Sequence, residues 1–247
     1  MNPNGNIETG NIRLLGREVA FTFPKGELLR TLIGRILSGQ EYPILTLPEF
    51  RPAVIVDIGA NVGATALFFH SHYPEAEIHC FEPSSLCHGC LARNTATFPT
   101  IHDHHLGLYD RDCETVLYEG HGQPAQNSVV SGPGTEEHGE TIRLAAAGPA
   151  LDALGLDEIS ILKLDTEGCE VPILESLGPR IDKTDLIYVE YHNEDDRRTI
   201  DTMLTDRFVL FAARADRLHV GTMVYLARHW LVRVPALDAL RIDRPDL

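Results

Sequence analysis

An α/β fold, with a doubly wound and largely parallel sheet closed by an antiparallel edge, is predicted by three features of the 247-residue sequence. Apolar runs at residues 53–58, 77–81, 159–165 and 186–191 alternate with segments of helical periodicity. The first run closes on VDIGANVGAT (56–65), where glycines follow the strand directly, as in nucleotide-binding turns. Two β-rich runs near the C-terminus, 208–212 and 222–227, flank RADRLHVG and read as a hairpin that ends the sheet.

The elements follow in order. NIRLLGREVAFTFP reads as two short strands turning at Gly16. Leu28, Leu29, Leu32, Ile33 and Ile36 fall at helical spacing, and Gly39 suits the helix end. Together they form a cap over residues 1–50, ahead of one structural unit at 51–247. A helix is expected over 64–70, a second strand ending at Glu82-Pro83, a helix over 85–95 and a third strand over 104–109. Residues 115–118 and 141–144 read as an antiparallel pair. The polar, Gly/Pro-rich stretch between them, EGHGQPAQNSVVSGPGTEEHGE, is long for a compact domain and reads as a functional or locally disordered loop. A helix over 168–177 tolerates Pro172 in its first turn and stops at Gly178; another covers 195–205.

Composition narrows the function. The chain can bury one sizeable core, and no apolar run reaches the roughly 18–20 residues that span a bilayer. The start, MNPNGNIETG, lacks the basic-then-apolar order of a signal peptide, so a cytoplasmic location is expected. Five scattered cysteines do not form a secreted disulfide framework, and Cys87-His-Gly-Cys90 lacks the second pair of a zinc site. His102-Asp-His104-His105 offers two ligands on one strand face and no third, which fits a surface strand. A net charge of −15 repels polyanions, so neither nucleic acid nor an anionic membrane is expected as partner. A small-molecule substrate is expected, with a homodimer left open.

Which ligand the glycine loop holds follows from its neighbours. Dinucleotide enzymes place a middle glycine where this chain has Asn61, and Asp57 at the mouth of the loop would repel a phosphate. S-adenosylmethionine has no phosphate; it carries a sulfonium, an ammonium and a ribose diol. Asp57, Gly59, Asn61 and Gly63 suit such a ligand, and Glu82 at the end of the second strand offers two oxygens to the ribose hydroxyls. The alternative for Asp57 is a strand-end acid that caps the next helix.

These motifs resemble the FkbM-type S-adenosylmethionine-dependent methyltransferases. The resemblance rests on VDIGANVGATALFF (56–69), FEPSS with Asn94 downstream (81–94), LKLDTEGCEVPILESL (162–177) and LIYVEYH (186–192), and covers roughly residues 40–230. It implies a class I methyltransferase (Rossmann-like) fold, with a seven-stranded mostly parallel sheet in the order 3-2-1-4-5-7-6. It also implies S-adenosyl-L-methionine as cofactor and mostly O-methylation of small molecules or glycans. The chain departs from the family at LGLYDRDC, where a small residue and a glycine are usual; Leu108 in this stretch is assigned to the cofactor.

In this strand order, Asp165 closes strand four beside the glycine loop, and Glu190 and His192 close strand five. Methyl transfer to an alcohol needs alignment, exclusion of water and removal of one proton. His192 is the expected base, with Asp165 orienting it or accepting the proton itself. Glu167 and Glu190 complete the catalytic candidates, without a metal. Each has a structural alternative: helix capping for Asp165 and Glu167, a loop hydrogen bond for His192, a pair with Lys163 for Glu190. Glu41 and Tyr42, at the end of the cap, and Asn127 and Ser128, in the long loop, are the candidate substrate contacts. A carboxylate acceptor, an NAD-dependent oxidoreductase and a non-catalytic binding module remain the alternative functions.

Overall fold

The computed structural model describes residues 7–120, 123–128 and 135–239, without the side chains of 119–128, 135–138 and 238–239. The chain opens with a hairpin, β1 (Ile7–Leu14) and β2 (Arg17–Pro24). Its two-residue turn puts both Leu15 (φ 49°) and Gly16 (φ 77°) in the left-handed region, which matches the twist of the flanking strands. Helix α1 (Glu27–Leu37) follows and buries Leu29, Ile33 and Ile36.

The central sheet contains β3 (Val54–Ile58), β4 (Glu77–Phe81), β5 (Ile101–His104), β10 (Ile161–Leu164), β11 (Leu186–Tyr191), β12 (Phe208–Arg217) and β13 (Val220–Ala227). The spatial order is β12-β13-β11-β10-β3-β4-β5, or 3-2-1-4-5-7-6 counted from the first strand of this sheet. The five strands from β11 to β5 are parallel, and β13 joins β11 antiparallel. Strands β3, β10 and β11 are mostly apolar and buried on both faces because helices cover both sides. Helix α2 (Ala64–His72) is apolar all round and correspondingly buried from Ala64 to His70. The remaining helices are α3 (Ser85–Thr95), α4 (Ala147–Ala153), α5 (Glu170–Leu177), α6 (Glu194–Leu204) and α7 (His229–Arg233).

A second sheet corrects two sequence expectations. The third strand does not run over 104–109. It ends at His104, and residues 107–109 form β6 (Gly107–Tyr109), which pairs parallel with β9 (Thr135–Ala146). Gly107 permits the crossing: a Cβ there would stand 2.3 Å from Leu144 Cδ2. Nor is the 119–140 stretch simply a loop. Within its described part, β7 (Cys113–Gly120), β8 (Gln123–Ser128) and β9 pair antiparallel, in the sheet order β6-β9-β7-β8. A polar strand at a sheet edge needs no buried face, which is why hydrophobic alternation does not mark it. The closing hairpin also reaches further than expected, so that Arg214 and Asp216 lie on β12 and only Leu218-His219 turn.

Histidines 79, 102 and 104 stack on the β4–β5 surface, with the His79 and His104 rings 5.4 Å apart and His102 paired with Glu77. Cys87 and Cys90 are buried, unbridged residues of α3. No helix among the described residues is long and apolar enough to cross a membrane.

Candidate active site

The glycine turn leaves β3 with Gly59 (φ 78°), Asn61 (φ 49°) and Gly63 (φ 85°) all left-handed. Asn61 keeps this conformation where a dinucleotide turn has glycine, because asparagine tolerates it better than other side chains. The turn is pinned by two backbone bonds from Gly59 and Ala60 to the Phe81 carbonyl. Glu82 adds a third, accepting from Asn61 N at 2.9 Å while its other oxygen accepts from Ser84 N at 2.8 Å. Burial pushes the Glu82 carboxyl up to about 7 against these hydrogen bonds. Asn94 ties the turn to the cap: its amide donates to Val62 O and Thr22 O, and its oxygen accepts from Thr22 N.

Above this turn lies a first cavity. Residues 58–62, Glu82, Leu108 and Lys163 line it, and Leu29, Ile33 and Ile36 of α1 roof it. A second cavity opens on the other side of α1, lined by Thr31, Arg35, Glu41, Tyr42, Glu190, His192 and Arg214 among others. The two cavities share Leu32, Asp165 and Glu167. Glu41 is clamped between Arg35, at 2.6 Å, and Arg214, and Arg214 also reaches Asp216 at 2.9 Å. These pairs fasten the cap to β12. Tyr42 packs edge-on against Tyr188, with ring centroids 5.6 Å apart.

Two expected cofactor residues line neither cavity. Asp57 is not at the mouth of the loop: it lies sealed inside the sheet, 3.0 Å from the Lys163 ammonium. Gly63 faces α3, where a Cβ would meet Leu91 Cδ1 at 2.7 Å, so its glycine serves packing. The structure also rejects a Glu190–Lys163 pair. Lys163 instead donates to Gly59 O at 2.7 Å and lies 3.8 Å from Asp165. Burial opposes its charge, but Asp57 and Asp165 outweigh that and hold the ammonium well above its ordinary value.

His192 is not the free base expected. Its Nε2 stands 3.1 Å from Glu167 and 3.9 Å from Glu190, and its Nδ1 stands 3.6 Å from Glu170. Burial disfavours the imidazolium, yet Glu167 and Glu170 prevail and push its pKa up to about 11. Asp165, Glu190 and His192 each place a ligand atom within 4.8 Å of the others. Burial first, then Asp165, raises the Glu190 carboxyl well above its usual range. Helix α5 starts two residues later than expected, and neither Asp165 nor Glu167 caps it; Glu170 accepts from the turn instead. Asn127 and Ser128 lie on β8, and their side chains fall outside the described residues.

The first cavity fits S-adenosylmethionine. Glu82 retains one lone pair on each oxygen for a diol, Leu108 and its neighbours supply an apolar wall, and Asp165 and Glu167 offer anionic oxygens at the other end. A family model described as the methyltransferase FkbM domain matches residues 57–219. The chain belongs to the FkbM methyltransferase family. Its cofactor is S-adenosyl-L-methionine. This FkbM chain is 25% identical over 177 residues to Methyltransferase sdnD of Sordaria araneosa, covering 58% of this chain and 66% of that one. It is 22% identical over 166 residues to 2-O-methyltransferase NoeI of Sinorhizobium fredii, covering 62% and 68%. The crystal structure of Methyltransferase FkbM from Methylobacillus flagellatus KT superposes with a TM-score of 0.54 at 14% identity, over 76% of this chain and 47% of that one. The chain thus spans just under two thirds of sdnD and about half of the Methylobacillus chain.

Sequence reasoning missed Glu170 as a site residue and treated Lys163 only as a possible partner of Glu190. The signals were present: a lone lysine inside an apolar strand, and a glutamate in the first turn of a helix at the site.

Proposed function

We propose that the chain is an O-methyltransferase that moves the methyl group of S-adenosylmethionine to a hydroxyl of a small metabolite, sugar or natural product. The observation that carries this reading is the wall common to both cavities: a hydroxyl in the second cavity meets Asp165 where the cofactor cavity ends. The cofactor supplies a methyl group already activated on a sulfonium. This chain's residues supply alignment, exclusion of water and a proton acceptor. Glu82 and the glycine turn hold the cofactor, α1 shields both cavities, and Asp165 accepts the hydroxyl proton. Glu190, its carboxyl raised well above the usual range by burial and by Asp165, hydrogen-bonds the same carboxylate and orients it. His192 replaces neither group; it holds Glu167 in place.

Asp165, Glu190 and His192 are spaced closely enough to bridge a divalent ion, but Lys163 and the His192 imidazolium already bring positive charge to the cluster. Direct base catalysis without a metal is therefore the reading adopted. The name of NoeI states 2-O-methylation, which supports oxygen as the accepting atom. The net charge of −15 supports a small acceptor rather than a nucleic acid. Labelled S-adenosylmethionine incubated with a panel of polyhydroxylated acceptors should yield O-methylated product. Methylation at nitrogen or carbon alone would overturn the assignment.

A further inference from the structure

Glu170 lines neither cavity, yet it is completely buried and its carboxylate is hydrogen-bonded to the turn that carries Asp165 and Glu167. Its Oε1 accepts from Thr166 N at 2.8 Å and Thr166 Oγ1 at 3.0 Å, and its Oε2 accepts from Gly168 N at 3.1 Å. The turn it holds, from Asp165 to Gly168, contains Glu167 at φ 54° and Gly168 at φ 109°. A left-handed glutamate costs free energy, and the backbone adopts it only where surrounding bonds enforce it. The same carboxylate faces His192 Nδ1 from β10–α5 across to the end of β11.

We propose, on the reading of the site as a methyl-transfer centre, that Glu170 is a positioning residue that locks the Asp165–Gly168 turn to the His192 ring, with the other edge of that ring holding Glu167. One buried carboxylate thereby sets both the backbone that carries Asp165 and Glu167 and the orientation of the imidazole between them. The titratable groups that face His192 are Asp165 at the end of β10, Glu167 from the turn, Glu170 from α5 and Glu190 from β11. With carboxylates on both edges, the ring stays charged through neutral pH and takes no proton from the acceptor. Asp165 is left to do so.

The test is an NMR titration of the His192 ring, assigned against the His192→Gln protein, in the wild type, in Glu170→Gln and in Glu170→Asp. The wild-type ring should remain protonated beyond pH 8. In Glu170→Gln its midpoint should fall by about one unit or more, because one of two flanking charges is gone. In Glu170→Asp, which keeps the charge, it should move less. S-adenosylmethionine affinity, measured by calorimetry, should stay within about twofold, while turnover of Glu170→Gln falls roughly ten- to a hundredfold and Glu170→Asp recovers part of it. A wild-type midpoint near the ordinary histidine value, about 6.5, would overturn the proposal even if no variant folds. An unmoved midpoint in Glu170→Gln would do the same, as would a loss of cofactor affinity equal to the loss of rate. If the titrations behave as expected but no hydroxylated acceptor is methylated, the clamp stands and the proposed reaction fails.

Discussion

Lys163 and Asp57 form an ion pair 3.0 Å long in the middle of the parallel sheet, with side chains 2% and 0% exposed. Lys163 is on β10 and Asp57 on β3, in register with each other. Lys163→Met removes the cation and leaves a sealed carboxylate facing apolar surroundings. Breaking such a pair from one side costs about 3–5 kcal/mol. Urea unfolding should show a loss of this order. A loss below about 1 kcal/mol, as for an exposed pair, would mean that water reaches Asp57.

Glu82 gives cofactor binding a pH dependence. Burial pushes its carboxyl from 4.5 up to about 7 in the folded chain. The folded state therefore holds a proton that the unfolded state releases between these values, and the contribution of this group to stability declines as pH rises across that window. A ribose diol donates two hydrogen bonds and so prefers the ionised form. Affinity for S-adenosylmethionine should rise with pH up to about 7 and then level off, a slope that Glu82→Gln abolishes. Glu82→Ala removes the ribose contacts together with the bonds to Asn61 N and Ser84 N, and should weaken binding at least about tenfold, at roughly 0.5–1.5 kcal/mol per lost hydrogen bond. Calorimetry across this pH range decides it, and pH-independent affinity would remove Glu82 from the ribose.

Gly59 tolerates no side chain. A Cβ there would stand 1.8 Å from Asp165 O, at a φ of 78°. Gly155 has a similar φ, 70°, but nothing within 4 Å of the added carbon. Gly155→Ala should thus cost only backbone strain, about 1–2 kcal/mol. Gly59→Ala must also force β3 and β10 apart where the two cavities meet, adding about 1–3 kcal/mol or more. Thermal melts and cofactor binding of the two variants separate close approach from strain; equal effects would refute the distinction.

Asp165 is expected to carry the proton. Asp165→Asn should lower turnover by about 10²–10⁴ with cofactor affinity little changed. EDTA should leave the wild-type rate unaltered. Activity lost in EDTA and restored by a divalent ion would replace the base with a metal bound by Asp165, Glu190 and His192.

The sequence by itself determined the parts whose causes are local. Apolar runs wide enough to be buried on both faces made β3, β10 and β11 legible. Alternate residues able to adopt left-handed backbone, Gly59, Asn61 and Gly63, made the cofactor turn legible. Glu41 and Tyr42 line the second cavity, as the short segment between them and β3 implies. Only the tertiary structure decided which charges face one another. Asp57 is five residues from the end of the cavity wall in Val62 yet turns inward, because β10 brings Lys163 beside it from more than a hundred residues away. His192 carries the residue type of a base, but Glu167 from the turn after β10 and Glu170 from α5 flank its ring and raise its pKa. Strand β8 pairs through its backbone, which leaves no hydrophobic period to read. Pattern reports what a residue and its near neighbours prefer. Charge state, register and the joining of two cavities at Asp165 and Glu167 depend on partners distant in the chain, interacting where little water remains to screen them.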